Sequence, residues 1–195
     1  MIFDWFTTVA PSRMNMSIVT NTSSFTSKTS GAIQTRAGTG SRWRMNLSYD
    51  NLDDAESREL EALYLKLNGM AGRVRCYDFG REPPVLLGAP VIKGANQMGI
   101  SVVTSGWTPS KTVLNLGDYI MIGNEMKMVT AVTKSDAAGE ATIEFAPHLR
   151  RPPADKSKIS ADAKAVFMLD SNTNGVDRAP AFSNSFTFTL IEDIL

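Results

Sequence analysis

The chain has 195 residues, which suits one sizeable domain or two small ones and needs no disulfide or metal to fold. Its 20 basic and 20 acidic residues cancel. A protein that holds nucleic acid through its phosphates usually has a basic excess, so the charge balance argues against that class.

The sole cysteine, Cys76, excludes an internal disulfide and a CxxC redox or zinc site. The first thirteen residues carry Asp4 and lack a basic stretch at their start, so we expect no signal peptide. No apolar run approaches the roughly 20 residues of a membrane span. We therefore expect a protein that is made and folded in a cytoplasm.

The first elements in chain order are predicted strands. Nine of the fourteen residues from Ser17 to Ser30 are Ser or Thr, which favours short strands joined by polar loops. A flexible loop over Thr26 to Gly40 remains an equal alternative. The segment from Arg42 to Tyr49 alternates apolar and polar residues, which predicts a strand with one buried face.

The period then changes to that of a helix at about residues 54–68. Leucines and a tyrosine form a stripe with helical spacing, namely Leu60, Leu63, Tyr64 and Leu67. Asp53 or Asp54 is placed to cap the first turn, and Gly69 is placed for a left-handed stop. A further strand is predicted from Gly72 to Phe79.

Two proline pairs, Pro83-Pro84 and Pro152-Pro153, punctuate the rest of the chain and indicate boundaries. Five short strands are predicted between them, which favours a small OB-like barrel. They are Ile100 to Thr104, Thr112 to Leu116, Tyr119 to Ile122, Lys127 to Val132 and Ala141 to Phe145. Strands at Ala165 to Leu169 and Ser185 to Ile191 follow. We expect a mainly β protein with one helix, in which both chain ends build an outer domain and the barrel is inserted.

Candidate catalytic and metal-binding residues are few. His148 is the sole histidine and no GxSxG nucleophile elbow accompanies it, so a packing or surface role is favoured. Asp50, Asp53 and Asp54 lack the EF-hand pattern and fit a turn with helix capping better than a metal site. The stretch Gly38 to Ser41 is too short to cradle a phosphate. We expect no enzyme, no cofactor and no metal.

Candidate contact residues for a ligand or a protein interface are Trp107, Arg42 and Arg44. Arg42 and Arg44 share a strand face, as do Arg73 and Arg75, and Arg150-Arg151 form a third basic spot. These arginines suit phosphate contacts or salt bridges between subunits. An exposed Trp107 would stack on a base or a sugar ring, whereas a turn-anchoring or interface tryptophan is an equal alternative.

Three stretches in the correct order resemble the distal tail proteins (Dit-like) of long-tailed bacteriophages, the siphoviruses. GTGSRWRMNLSYDNLDDAESRELEALYLKLNGMAGRVRCYDFGREPP resembles the N-terminal domain of that family. GDYIMIGNEMKMVTAVTKSDAAGEATIEFAPHLRRPPADKSKI resembles the inserted barrel, and SFTFTLIEDIL resembles the terminal strand. The stretches cover about two thirds of the chain.

The resemblance implies a structural virion protein at the tail tip, or baseplate, that assembles in the host cytoplasm. Residues 1–82 and 166–195 would form a β-sandwich domain that closes a homo-hexameric ring, and residues 83–165 an OB-like barrel. The ring would join the tail tube protein to the tail-tip hub protein and let DNA pass without sequence-specific contact or membrane insertion. The Ser/Thr-rich stretch after Ser17 is the candidate arm between subunits, and deletion of Ser23 to Ala37 tests it.

Three alternatives remain open at this level. A carbohydrate-binding module would contact a host glycan through Trp107. A single-strand nucleic-acid binder would show salt-dependent affinity for short oligonucleotides. A hydrolase would depend on His148.

Overall fold

The computed structural model describes residues 2–5, 9–173, 175–179 and 183–194. Of the described residues, 50% lie in strands and 9% are helical, with one α-helix, so the protein is mainly β, and it contains a nearly closed, six-stranded antiparallel sheet that resembles a barrel. This confirms the predicted fold class. No α-helix in the described part of the chain has the length and apolar character that a membrane crossing requires.

The elements of the described residues, in chain order, are β1 (Ile2–Asp4), β2 (Arg13–Val19), β3 (Thr22–Thr26), β4 (Ile33–Ala37), β5 (Arg42–Leu52), α1 (Asp54–Leu67), a 3-10 turn (Gly69–Ala71), β6 (Arg73–Cys76), β7 (Gly88–Ile92), β8 (Gly99–Trp107), β9 (Thr112–Leu114), β10 (Tyr119–Ile122), β11 (Glu125–Val129), β12 (Thr133–Lys134), β13 (Ala141–Leu149), β14 (Ile159–Ser160), β15 (Ala165–Leu169), β16 (Val176–Ala179) and β17 (Ser183–Glu192).

The chain divides into two compact units. The first comprises Met1–Val19, Arg42–Glu82 and Lys164–Leu195, and the second comprises Thr20–Ser41 and Pro83–Ala163. The segment Thr20–Ser41 therefore groups with the barrel, whereas the sequence analysis assigned it to the discontinuous domain.

The first unit is built on a seven-stranded sheet with the order β1-β6-β15-β17-β5-β2, and β16 pairs with β17. Strand β5 supplies its central core residues because every second side chain points to one face. Trp43, Met45, Leu47 and Tyr49 are buried, while the arginines and polar residues between them are half-buried. The predicted alternation of this strand is confirmed.

Helix α1 begins with a reciprocal capping box. The Asp53 side chain accepts a hydrogen bond from Glu56 N (2.8 Å), and the Glu56 side chain accepts one from Asp53 N (3.0 Å). Leu60, Leu63 and Leu67 are fully buried. Asn68 takes the left-handed conformation at the helix end (φ 50°), so the stop begins one residue before the predicted Gly69, which also has a positive φ.

The second unit contains the six-stranded sheet, with the order β14-β10-β11-β13-β8-β7. Its two edge strands approach each other through an antiparallel bridge between Val91 and Lys158, and Ile92 N donates to Ser157 O (2.9 Å). This contact closes most of the gap. Strands β7 and β14 are the two strands of this sheet that the sequence analysis did not predict.

The barrel encloses an apolar core. Its buried residues are Ile92, Val102, Trp107, Val113, Leu114, Ile120, Ile122, Val129, Ala141, Ile143, Phe145, Leu149 and Ile159. The predicted strands from Ile100 to Phe145 supply most of them, because their alternating apolar side chains point inward.

Candidate functional site

An exposed β-hairpin is the first candidate surface. Strands β3 and β4 pair in register from Thr22 opposite Ala37 to Thr26 opposite Ile33. The turn is closed by Ser27 N donating to Ala32 O (2.9 Å), and Gly31 takes a positive φ of 69° there. The structure thus contains a hairpin where a flexible loop over Thr26 to Gly40 was the alternative prediction.

Both faces of this hairpin lie open to solvent, because all ten strand residues are exposed. Phe25 is opposite Gln34 and Thr26 is opposite Ile33, so Phe25 and Ile33 point to opposite faces. Their side chains are 66% and 67% exposed. A two-stranded hairpin without a covering layer is marginally stable in water, so this surface suits a partner that covers it.

The base of the hairpin is held by short contacts. Gly38 N donates to Asn21 O (2.6 Å), and Asn21 N donates to Ser41 Oγ (3.3 Å). A Cβ at Gly38 would lie 2.9 Å from the backbone carbonyl oxygen of Asn21, so the close approach of the two backbone segments favours glycine. An open groove of about 340 Å³ lies beside this base, lined by Asn21, Ser23, Arg36, Ala37, Gly38 and Thr39.

A buried charge cluster inside the barrel is the second candidate site. Lys127 is opposite Ile120 on β10, so its side chain points to the barrel interior, where it is 0% exposed. Lys127 Nζ donates to Glu125 Oε2 (2.7 Å) and to the His148 carbonyl (2.9 Å). Glu125 also accepts from the backbone N–H groups of Arg150 (3.1 Å) and Arg151 (3.1 Å).

The charge cluster continues to the hairpin base. Arg150 lies 3.3 Å from Glu125 through its Nε, and its Nη1 donates to the Ser41 carbonyl (3.3 Å). Both arginine contacts are largely shielded, since the side chains of Arg150 and Glu125 are 12% and 11% exposed. Glu125 therefore links Lys127, in the barrel interior, to Arg150, whose guanidinium group contacts Ser41 at the end of the hairpin segment. The contacts of this charge cluster anchor the end of the hairpin segment to the barrel.

The predicted contact residues Arg42 and Arg44 lie on the half-buried face of β5. Arg44 forms an ion pair with Asp170 (2.6 Å) within the first unit. Arg44 therefore forms a salt bridge, which was one of its two predicted roles, but its partner lies in the same chain and not in another subunit. Trp107 lies in the core of the barrel, in the second unit.

The expectation of an exposed Trp107 is wrong. Its side chain is 3% exposed, and its indole N–H donates to Thr104 Oγ1 (2.8 Å). The strand β8 continues through Gly106 to Trp107, and a Cβ at Gly106 would lie 2.5 Å from the Ala89 carbonyl, so this close strand approach needs glycine. The turn-anchoring interpretation agrees with this position, and the ring is not accessible to a sugar or a base.

The other residues considered for chemistry have structural surroundings. His148 lies in β13, and its carbonyl accepts from Lys127. Asp53 caps α1, and Asp54 pairs with Arg58 in the same helix (2.6 Å). Among the described residues, no group of three or more His, Cys, Asp or Glu side chains is arranged to hold a metal ion.

Cys76 ends strand β6 in a buried position. Burial raises the pKa of its thiol to about 12, which keeps it protonated and unreactive at neutral pH. The two arginines of the same strand form ion pairs on the first unit: Arg73 with Asp193, and Arg75 with Asp4 (3.2 Å).

Sequence reasoning missed the buried role of Glu125 and Lys127. The available signal was the register of GDYIMIGNEMKMV, in which the Gly123-Asn124 turn sets Lys127 opposite Ile120 and therefore on the inward face. Charged residues are almost never fully buried unless they are paired, so the pattern alone favoured a solvated face.

Comparison with known proteins adds no family: no protein-family model matches the chain, and no curated protein matches it.

Proposed function

We propose that this chain is a distal tail protein of a long-tailed bacteriophage, a structural subunit rather than an enzyme. Copies of it would form a homo-hexameric ring at the distal end of the tail. The ring would join the tail tube protein to the tail-tip hub protein and let DNA pass. The order of the family-like sequence stretches and the β-rich, barrel-containing fold support this proposal.

The observation that carries the proposal is the hairpin β3–β4, with all ten strand residues exposed. A subunit that assembles with copies of itself needs a surface that is incomplete in the isolated chain. The large exposed fractions of Phe25 and Ile33, on opposite hairpin faces, fit an element that is covered on assembly. The burial of Trp107 removes the residue on which the glycan-binding alternative depended.

The charge balance fits the passage of DNA through such a ring. The formal net charge is zero, and a strongly basic lumen would retain the phosphate backbone instead of letting it slide. The proposal requires no sequence-specific contact with nucleic acid.

The test is the solution mass of the purified chain, measured by light scattering over a concentration series, with negative-stain images of the same samples. We expect hexameric rings with a central opening. The same measurements on the chain co-expressed with the proteins of neighbouring genes cover a ring that closes only on a tail partner. A monomer under both conditions would contradict the proposal.

A further inference from the structure

The hairpin β3–β4 is separated from the strands that precede and follow it by an interruption in the strand pairing. The pairing of β2 with β5 ends at Val19 opposite Arg42. The pairing of the hairpin begins at Thr22 opposite Ala37. Between these pairs lie two residues on one side and four residues, 38–41, on the other. Because the two sides differ in length, the hairpin is not a continuous extension of the β2–β5 ladder.

The longer side of this interruption has the sequence of a hinge. It reads GTGS, and none of its four residues lies in a strand. Gly38 and Gly40 lack a Cβ, so their backbone has access to more conformations than that of any other residue type. All ten strand residues of the hairpin are exposed, so no packed layer fixes the direction of the hairpin. Two glycines at the foot of an uncovered hairpin allow it to rotate as a unit.

A largely buried arginine holds the end of this hinge. Arg150 Nη1 donates to the Ser41 carbonyl (3.3 Å), and Arg150 Nε lies 3.3 Å from Glu125 Oε2. Ser41 is 9% exposed, and its Oγ accepts from Asn21 N (3.3 Å), so both sides of the hairpin foot meet at this serine. Glu125 also accepts from Lys127 Nζ (2.7 Å). The Arg150 guanidinium group thus connects the foot of the hairpin to a carboxylate that the barrel holds in place.

We infer that the hairpin is a hinged arm and that Arg150 is the latch that sets its direction. The arm turns about residues 38–41, and the contact of the guanidinium group with the Ser41 carbonyl selects one orientation. An arm that is already ordered loses less conformational freedom when a partner binds it, so the latch strengthens that binding without contacting the partner. The device does not depend on the proposed tail function, because it concerns the motion of the hairpin in the isolated chain.

The test measures the distance between two spin labels by double electron–electron resonance on the full-length protein. One label is attached at Thr29→Cys, in the hairpin turn, and the other at Thr142→Cys, an exposed residue of β13. Native Cys76 is buried and is not labelled in folded protein. The latch is removed by Arg150→Met, which leaves Glu125 with a second cationic partner and therefore creates no unpaired buried charge.

A second variant, Arg150→Lys, keeps a cation beside Glu125 but loses the planar fork that reaches two acceptors at once. It provides the same test if Arg150→Met does not fold. The matched control is Arg151→Met, because this neighbouring arginine is exposed and contacts Glu125 through its backbone N–H. A second pair of labels within the barrel, at Thr142→Cys and Leu116→Cys, reports whether the barrel stays intact.

We expect the distance distribution between Thr29 and Thr142 to become at least twofold wider in both latch variants and to keep its wild-type width in Arg151→Met. The distribution for the pair within the barrel should keep its width in every variant. An unchanged hairpin distribution in the latch variants would overturn the inference. Equal broadening of the barrel pair would also overturn it, because Arg150 would then stabilise the barrel and not direct the hairpin. The ring proposal is judged separately by the solution mass of the unmodified chain.

Discussion

At the scale of single residues, Tyr49 combines full burial with an unsatisfied hydroxyl group. Its ring packs edge-on against Phe188 (centroids 6.0 Å apart), and its hydroxyl has no hydrogen-bond partner among the described residues. Burial, followed by the proximity of Cys76 and Tyr77, raises the pKa of the phenol above its ordinary value of 10.0. Packing of the aromatic ring therefore stabilises the folded chain, whereas burial of the unpaired hydroxyl group destabilises it.

We predict that Tyr49→Phe increases the free energy of unfolding by about 1 kcal/mol, because an unpaired buried hydroxyl costs about 1–3 kcal/mol. Urea denaturation at pH 7 measures this. A raised pKa in the folded state gives stability that is present below pH 10.0 and is lost as the pH rises above it. The variant should therefore also lose less stability than the wild type above pH 10.

The matched control is Tyr77→Phe, because the Tyr77 side chain is 41% exposed and its hydroxyl group is less costly to leave in place. We expect this control to change stability by less than about 0.5 kcal/mol. A Tyr49→Phe variant that is less stable than the wild type would mean that the hydroxyl has a stabilising partner.

At the scale of elements, Glu125 and Lys127 form an ion pair within β11, and hydrogen bonds from this pair reach the His148 carbonyl in β13 and the backbone N–H groups of Arg150 and Arg151. We predict that Glu125→Ala lowers the free energy of unfolding by about 3–5 kcal/mol, because it leaves the Lys127 ammonium buried without its carboxylate. The double variant Glu125→Ala with Lys127→Met should recover part of this loss, since no uncompensated charge remains. Chemical denaturation of the two single variants and the double variant gives the coupling energy.

The matched control for this pair is Glu140→Ala, which removes the partner of Lys93 at the surface of the same unit. Those side chains are 49% and 35% exposed, so the control should cost less than about 1 kcal/mol. Additive effects of the Glu125 and Lys127 substitutions would show that the two charges do not depend on each other.

The elements that the sequence predicted best are those with a clear period. The alternation from Arg42 to Tyr49 and the helical stripe of α1 depend on local spacing, and both were correct to within a few residues. Strands β7 and β14 escaped prediction because β14 has two residues and β7 contains Pro90, and both are fixed by the closing contacts of the barrel. Trp107 was misplaced because its flanking Ser, Gly, Thr and Pro residues are typical of a turn, whereas its burial depends on distant strands.

At the scale of the whole molecule, the segment Thr20–Ser41 differs from the other elements in the complete exposure of its two strands. It joins β2 to β5, two strands that pair directly with each other from Arg13 opposite Ser48 to Val19 opposite Arg42. The two strands would need only a short turn to connect them, yet the chain inserts a hairpin whose strand residues are all exposed. Sequence composition identified this segment as polar and extended, but the assembly role that we propose for it needs a second chain, which composition does not describe.

The last prediction concerns deletion of Ser23 to Ala37, which leaves Thr22 to join Asn21 to Gly38. These ends are already connected by the hydrogen bond from Gly38 N to Asn21 O (2.6 Å). The deleted strand residues are exposed and contribute nothing to either buried core, so the melting temperature should stay within about 4 °C of the wild type. Self-association should be lost, because the shortened chain lacks the hairpin that we propose as the arm between subunits.

Thermal unfolding and solution mass are measured together on the deletion variant, with Val132→Ser as a control at another exposed apolar residue (55% exposed). The control should assemble like the wild type. Intact rings from the deletion variant would refute the hairpin as the arm between subunits. A large fall in melting temperature would instead contradict the claim that the hairpin is dispensable for folding. A folded monomer, which we expect, would separate the two roles of the chain: the sheet, helix and barrel provide stability, and the hairpin provides assembly.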